Sequence, residues 1–273
     1  MNTSGNLTDS SINASKIIVS MGRGGTGKTS FVALMTKYFI KAGETPLLLI
    51  DTDPDQNLNE MVGADLRKTK TISELYCEIM EEGGTLSGIT PKERVEAKIW
   101  EKGLYEGKSF DLLSLGAKST EGCYCMPNSA LKAVIPSLVK NYKYTLIDSP
   151  AGLEHLNRKI TSKVGDVFDV LDSSKKAFQH VKRVHRIMEE LNIKFKNFYL
   201  IGGREFPENL GKRAKEETGL KYLGNIAYDE AVREHVLKGE SLINLPSTSP
   251  AYISVMKIME KAGYISLKQI LLP

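Results

Sequence analysis

Several features are scarce in this chain, and each scarcity excludes something. No block of like charges is present, and a formal net charge of +4 is mild over 273 residues. Nothing therefore demands a nucleic-acid partner. Aliphatic runs such as Leu47-Leu48-Leu49-Ile50 are far too short to cross a bilayer. The segment Met1 to Ser15 is rich in Ser, Asn and Thr and lacks both the basic lead and the apolar centre of a signal peptide. It reads as a disordered extension. These absences predict a cytoplasmic protein with no membrane partner. Cysteine is also sparse. There are three, an odd number, and two lie one residue apart. In a reducing compartment that favours metal or redox chemistry over a structural disulfide. No internal repeat and no linker interrupts the chain, so residues 16–273 are expected to form one domain. The composition, 41% hydrophobic and 26% charged, is that of a globular protein.

What is present begins with Gly22-Arg23-Gly24-Gly25-Thr26-Gly27-Lys28-Thr29. An apolar, β-branched run (Lys16 to Ser20) precedes it, and a helical pattern opens at Ser30. Strand, glycine-rich loop and helix are the context of a phosphate-binding P-loop. Its glycines let backbone N–H groups curl round an anion. Lys28 supplies a point charge for the outer phosphates, and the Thr29 hydroxyl is placed to ligate Mg²⁺. Gly22 to Ser30 is thus the expected nucleotide-binding segment.

Acidic residues follow at the ends of later apolar runs. Thr45 to Ile50 reads as a buried strand ending in Asp51-Thr52-Asp53-Pro54. In an extended segment Asp51 and Asp53 point the same way. They serve Mg²⁺ and the attacking water, or else they are solvated loop charges. Tyr144 to Ile147 is a second buried run, ending at Asp148, a Walker B pattern in which the carboxylate reaches Mg²⁺ through water. Gly152, just beyond it, is placed to offer its N–H to a γ-phosphate, as a nucleotide-sensing switch does. His155 is catalytic or, as one histidine in an expected helix, simply hydrogen-bonded. Further helices are expected from about Thr29 to Lys41, Ile72 to Met80, Pro91 to Trp100, Ala130 to Val139, Lys176 to Leu191 and Pro250 to Lys261. Further strands are expected at Phe110 to Gly116, Asp166 to Leu171, Asn197 to Gly202 and Leu223 to Ile226. Cys77 falls in the apolar pattern Ile72, Leu75, Tyr76, Met80 and reads as a small core residue.

Cys123-Tyr124-Cys125 is a poor disulfide pair, because the ring would be strained. The two thiols suit one soft metal but leave a tetrahedral site half complete. A two-fold dimer would bring four thiolates together around Zn²⁺ or Ni²⁺. Two incidental loop cysteines are the other reading.

The order of these motifs carries a resemblance. Arg23 before Gly24-Gly25, then Asp51-Thr52-Asp53-Pro54, then Asp148-Ser149-Pro150-Ala151-Gly152 resembles the deviant Walker A class of P-loop ATPases typified by MinD, ParA and the nitrogenase iron protein. Within that class the chain looks like the CooC-type ATPases, accessory factors that insert nickel into carbon monoxide dehydrogenase, and their acetyl-CoA synthase counterparts. Gly122 to Cys125 with Asn128, Ala151 to Arg158 and Gly224 to Glu230 carry that finer likeness. The resemblance implies an α/β fold, a mostly parallel twisted sheet flanked by helices on both faces. It also implies Mg-dependent hydrolysis of ATP to ADP, a homodimer promoted by nucleotide or metal, and Ni²⁺ or Zn²⁺ shared between the partners' Cys123 and Cys125. A client nickel enzyme is the implied partner. Lys28 and the loop amides would bind phosphates, with Thr29, Asp51 and Asp148 around Mg²⁺ and Asp53 at the attacking water. Arg23 stands where the class usually has a lysine that reaches the partner's nucleotide, and would stabilise transition-state charge in trans. Gly202-Gly203-Arg204 stands where relatives commonly place an asparagine that reads adenine. Two other readings accompany this one: a positioning or partitioning ATPase like MinD and ParA, and an iron–sulfur reductase like the nitrogenase iron protein.

Overall fold

The structure is a computed structural model that describes residues 17–83, 88–117, 125–151 and 163–267. Its frame is one eight-stranded sheet in the order β3-β4-β2-β5-β1-β6-β7-β8. The strands are β1 (Ile17–Gly22), β2 (Leu47–Asp51), β3 (Leu104–Glu106), β4 (Phe110–Ser114), β5 (Tyr144–Asp148), β6 (Lys163–Leu171), β7 (Lys194–Gly202) and β8 (Lys221–Asn225). All neighbours are parallel except the edge pair β3–β4. Central strands of a parallel sheet are covered on both faces and so read as continuous apolar runs. That is why β1, β2 and β5 were visible in the sequence.

Two apolar layers cover the sheet. One face packs α1 (Lys28–Lys41), α2 (Asn57–Val62), α8 (Glu230–Lys238) and α9 (Pro250–Ala262). The other packs α3 (Ile72–Glu81), α4 (Pro91–Lys98), α5 (Cys125–Leu138), α6 (Lys175–Glu190) and α7 (Asn209–Thr218). Helix α1 places Phe31, Leu34, Met35, Tyr38 and Phe39 in the core, as their i, i+3, i+4 spacing requires. Both α3 and α4 open with full capping boxes, Thr71 with Glu74 and Thr90 with Glu93.

Several boundaries differ from expectation. Helix α4 stops at Lys98 and continues as a π-helical turn, Ile99–Gly103. In α3 the buried stripe is Ile72, Leu75 and Ile79, whereas Met80 is exposed and Cys77 only half-buried. Strand β3 and helix α7 had no strong sequence signal: one is three residues on a sheet edge, and the other buries only Gly211 and Ala214. Among the described residues no helix is long and apolar enough to cross a membrane.

Candidate active site

Strand β1 lies between β5 and β6, and its carboxyl end opens directly into the P-loop. This is the position at which open α/β sheets bind ligands. Gly22 has φ 138, and a Cβ there would sit 2.4 Å from the Val170 carbonyl oxygen. Only glycine lets the strand turn into the loop that close to β6. Gly25 and Gly27 also have positive φ, 75 and 95. Gly24 and Gly25 are exposed at the loop tip, whereas Thr26, Lys28 and Ser30 are buried. The loop is held by Thr26 Oγ1 and Lys28 Nζ, which donate to the Arg23 carbonyl at 2.9 and 3.0 Å. The Ser30 hydroxyl lies 3.8 Å from the Met61 sulfur.

The sheet register aligns the acids. Ser20 of β1, Asp148 of β5 and Asp51 of β2 stand side by side in one row across three strands. Asp51 and Asp148 are both fully buried. Burial drives both carboxyls well above the ordinary carboxylate range; the Asp51 charge raises Asp148 further, and the charges of Asp53 and Asp55 raise Asp51. They part in their hydrogen bonds. Asp51 Oδ1 accepts from the Asp53 amide at 3.0 Å, and Oδ2 from the Leu58 amide at 3.1 Å. Asp51 therefore orders the turn into α2. Asp148 keeps Oδ1 without a partner among the described residues, while the Thr29 hydroxyl and Lys28 favour its charged form. Thr52 ties the two strand ends together, its amide and hydroxyl donating to the Asp148 carbonyl at 3.0 and 2.8 Å.

Asp53 does not continue the strand. Strand β2 ends at Asp51, and Asp53 opens a turn in which its Oδ1 accepts from the Asp55 amide at 3.1 Å. The extended geometry expected of the pair is thus replaced by a turn at Pro54. Asp53 remains near enough to act on the charges of Lys28 and Asp148. Burial lowers the Lys28 pKa, opposed by Asp148, Asp53 and Asp169.

Arg23 is held within its own chain. Its Nη1 donates to Asp172 Oδ2 at 2.6 Å and to Ser174 Oγ at 2.8 Å. Against the upward push of burial, Ser174 and the Arg23 guanidinium keep the Asp172 carboxyl below its usual range. The Arg23 side chain is 39% exposed. An ion pair this solvated contributes about 0–1 kcal/mol, so releasing Arg23 costs little.

Two positions escaped the sequence reading. Gly203 lies against the P-loop, and a Cβ on it would stand 2.4 Å from the Thr26 carbonyl oxygen. The Gly202-Gly203 pair was legible as a turn, but not as a close approach. Asp169 is the other: an acid inside the apolar run Val167-Phe168-Asp169-Val170-Leu171, fully buried beside the loop. A charge in the middle of a buried strand was the available signal. Gly152, Cys123 and His155 lie outside the described residues, and of Cys125 only the backbone is described, as the first residue of α5. Among the described residues, no group of three or more His, Cys, Asp or Glu is placed to hold a metal ion.

Residues 17–243 match the CobQ/CobB/MinD/ParA nucleotide binding domain. An uncharacterised ATP-binding protein of Methanocaldococcus jannaschii is 37% identical over 249 residues, covering 90% of this chain and 97% of that protein. The carbon monoxide dehydrogenase accessory protein CooC of Rhodospirillum rubrum is 24% identical over 89% of this chain and 95% of its own length. The septum site-determining protein MinD of Thermotoga maritima is 28% identical, over 72% of this chain and 66% of its own. Among solved structures, a ParA family ATPase from Chlorobium tepidum shares the fold with a TM-score of 0.69 at 13% identity, covering 92% of this chain and all of that one. MinD of Pyrococcus horikoshii complexed with Mg-ADP aligns with a TM-score of 0.64 at 21% identity, over 91% and 96% of the two chains.

Proposed function

The chain belongs to the CobQ/CobB/MinD/ParA nucleotide-binding family of P-loop ATPases, and from that premise we propose that it is an ATP-driven dimer that delivers nickel to a carbon monoxide dehydrogenase or acetyl-CoA synthase type enzyme. The observation that carries the nucleotide half is the row of buried acids beside Lys28, with one oxygen of Asp148 left without a partner among the described residues. That orphaned oxygen, next to the Thr29 hydroxyl, fits a hard divalent cation. When bound, Mg²⁺ neutralises charge on the phosphates. Asp148 and Thr29 would hold it, with Asp51 supporting them from behind.

The rest of the chemistry belongs to the chain. Lys28 and the amides of Gly24 to Thr29 bind the β- and γ-phosphates. Asp53, at the solvent side of the row, orients the attacking water. Arg23 leaves Asp172 and reaches the partner subunit's nucleotide, where its planar fork meets phosphate oxygens. Gly152 senses the γ-phosphate and passes the change to the segment of chain that carries Cys123. Phosphoryl transfer is governed by positioning and electrostatics, so these groups act by where they place charge.

The metal half is supported by the likeness to CooC along nearly the whole chain and by Cys123-x-Cys125. Nickel is cargo here, bound by four thiolates of two subunits. Titration of Ni²⁺ into the wild type and into a Cys123→Ser/Cys125→Ser variant tests it. Tight binding by the wild type, lost in the variant, is expected; equal binding by both removes the thiolate site. The likeness to MinD favours a second reading, a nucleotide switch acting on a membrane or on DNA. ATP-dependent pelleting with liposomes, or salt-sensitive DNA binding, would favour that reading instead.

A further inference from the structure

The turn from Gly203 to Phe206, just past β7, has no role in the account above, yet it is built against the phosphate loop. The Gly203 amide donates to the Leu171 carbonyl at 2.8 Å, and the Phe206 amide donates to the Gly203 carbonyl at 3.1 Å. Gly203 leaves no room for a Cβ beneath Thr26. These contacts fix where the next side chain starts. The Cγ of Arg204 lies 4.0 Å from where a Cβ on Gly27 would be, so its aliphatic stem runs beside the loop. Arg23 is anchored by Asp172 and Ser174. Arg204, by contrast, is exposed and has neither a hydrogen bond nor an ion pair from its guanidinium among the described residues.

Arg204 stands where two hollows meet. One lies against the loop, beside Gly25 and Thr26. The other is a groove of 590 Å³ between the end of β8 and α9. Arg204 lines both. A groove of that volume suits a small ligand, and a nucleotide with its phosphates in the loop has this groove for its base. Two polar side chains of the groove are already committed. Asn225 donates through Nδ2 to the Phe206 carbonyl at 2.7 Å, and its Oδ1 accepts from the Tyr222 hydroxyl. Ser254 Oγ accepts from the Ala227 amide at 2.9 Å and donates to the Ala251 carbonyl at 2.7 Å. Arg204, Glu208 and Lys257 remain, all exposed and without a side-chain partner among the described residues. The groove therefore offers two cations and a carboxylate, but no uncommitted carboxamide.

Those groups select among bases. A carboxamide suits adenine, because it accepts from N6 and donates to N7 at once. An arginine fork has donors only. It suits two acceptors side by side, which guanine presents at O6 and N7 and adenine does not. Glu208 supplies an acceptor for the N–H groups that either purine carries. We propose that Arg204 is a specificity-determining residue that reads the acceptor edge of a purine, so that the chain takes guanine nucleotides at least as readily as adenine nucleotides. This rests on the reading that Lys28 and the amides of Gly24 to Thr29 bind nucleotide phosphates.

Affinities of the full chain for ADP, GDP and inorganic pyrophosphate, each with Mg²⁺, test it. The wild type is expected to bind GDP as tightly as ADP or tighter. Arg204→Ala is expected to weaken GDP about tenfold or more, the size of one lost bidentate contact, to weaken ADP less, and to leave pyrophosphate binding in place. An unchanged GDP affinity, or an equal loss for ADP and GDP, would overturn the proposal. Arg204→Lys keeps the charge without the planar fork. It is expected to lose GDP as the alanine variant does, and a lysine variant that binds GDP like wild type would overturn the reading by fork. A wild type that binds pyrophosphate but prefers ADP to GDP would overturn this inference alone. One that binds none of the three would refute the phosphate role of the loop first, and this inference with it.

Discussion

Three buried acids stand at the carboxyl ends of the strands round the loop, and each contributes differently. Among the described residues Asp148 Oδ1 has no partner, Asp51 spends both of its oxygens on backbone amides, and Asp169 has no donors. Lys28→Ala is expected to lose nucleotide binding and to lower turnover by about a hundredfold or more; filter binding and phosphate release check it. Asp148→Asn keeps the shape of the side chain while removing its charge. It should reduce turnover by a similar factor with little change in melting temperature, and unaltered turnover would exclude Asp148 from the site. Asp51→Asn should act differently, because an amide nitrogen facing either backbone N–H loses a hydrogen bond. Its first effect is a lower melting temperature, about 1–3 kcal/mol in stability.

The buried acids also set a pH dependence. The Asp169 carboxyl titrates at about 7 in the folded chain, and at about 3.9 when unfolded. Between those values the folded state binds more protons than the unfolded state, so stability falls as pH rises through the window. The melting temperature of nucleotide-free protein should therefore fall less steeply for Asp169→Asn than for wild type between about pH 4.5 and pH 7.5. Parallel slopes would show that Asp169 does not titrate there.

At the scale of elements, the P-loop is clamped between strand ends. Gly22 packs on β6, and Gly203 at the end of β7 packs beneath Thr26. Gly203→Ala would place a methyl 2.4 Å from the Thr26 carbonyl, so the loop must shift. Weaker nucleotide binding is expected together with a lower melting temperature; unchanged ADP affinity would show that the loop tolerates the displacement. The same packing explains what the sequence could reveal. The P-loop, Asp51 and Asp148 were legible because a glycine cluster and acids at the ends of apolar runs have local signatures. Asp169 was hidden because its meaning depends on register with β1, a contact between residues far apart in the chain. Gly203 was hidden for the same reason. The Asp53 geometry was misjudged because Pro54 turns the chain where an extended segment was expected, and β3 was missed because a three-residue edge strand carries little pattern. Arg23 was legible as an unusual cation in the loop, but its Asp172–Ser174 anchor lies some 150 positions away in sequence.

At the scale of the whole molecule, the account requires two chains. Arg23 rests on its own Asp172 in the isolated subunit, and the weak hold of a solvated ion pair makes that a resting position from which it can cross a dimer interface. Complementation separates the two places of action. If Arg23 is the finger and Lys28 the phosphate site, as proposed, Arg23→Ala and Lys28→Ala should each alone be nearly inactive. Mixed with ATP, they should regain activity, because the intact P-loop of one subunit receives Arg23 from the other. Activities that merely add would place Arg23 in cis.

The dimer is also what a Cys123-x-Cys125 metal site needs, since two thiolates per subunit leave a tetrahedral ion half ligated. The most direct measurement is the mass and nickel content of the full chain, by light scattering with metal analysis, in a non-hydrolysable ATP analogue and then in ADP. The account predicts a dimer holding one nickel per two chains with the analogue, with metal released in ADP and absent from Cys123→Ser/Cys125→Ser. A monomer under both nucleotides, or metal content indifferent to nucleotide and to the cysteines, would contradict it.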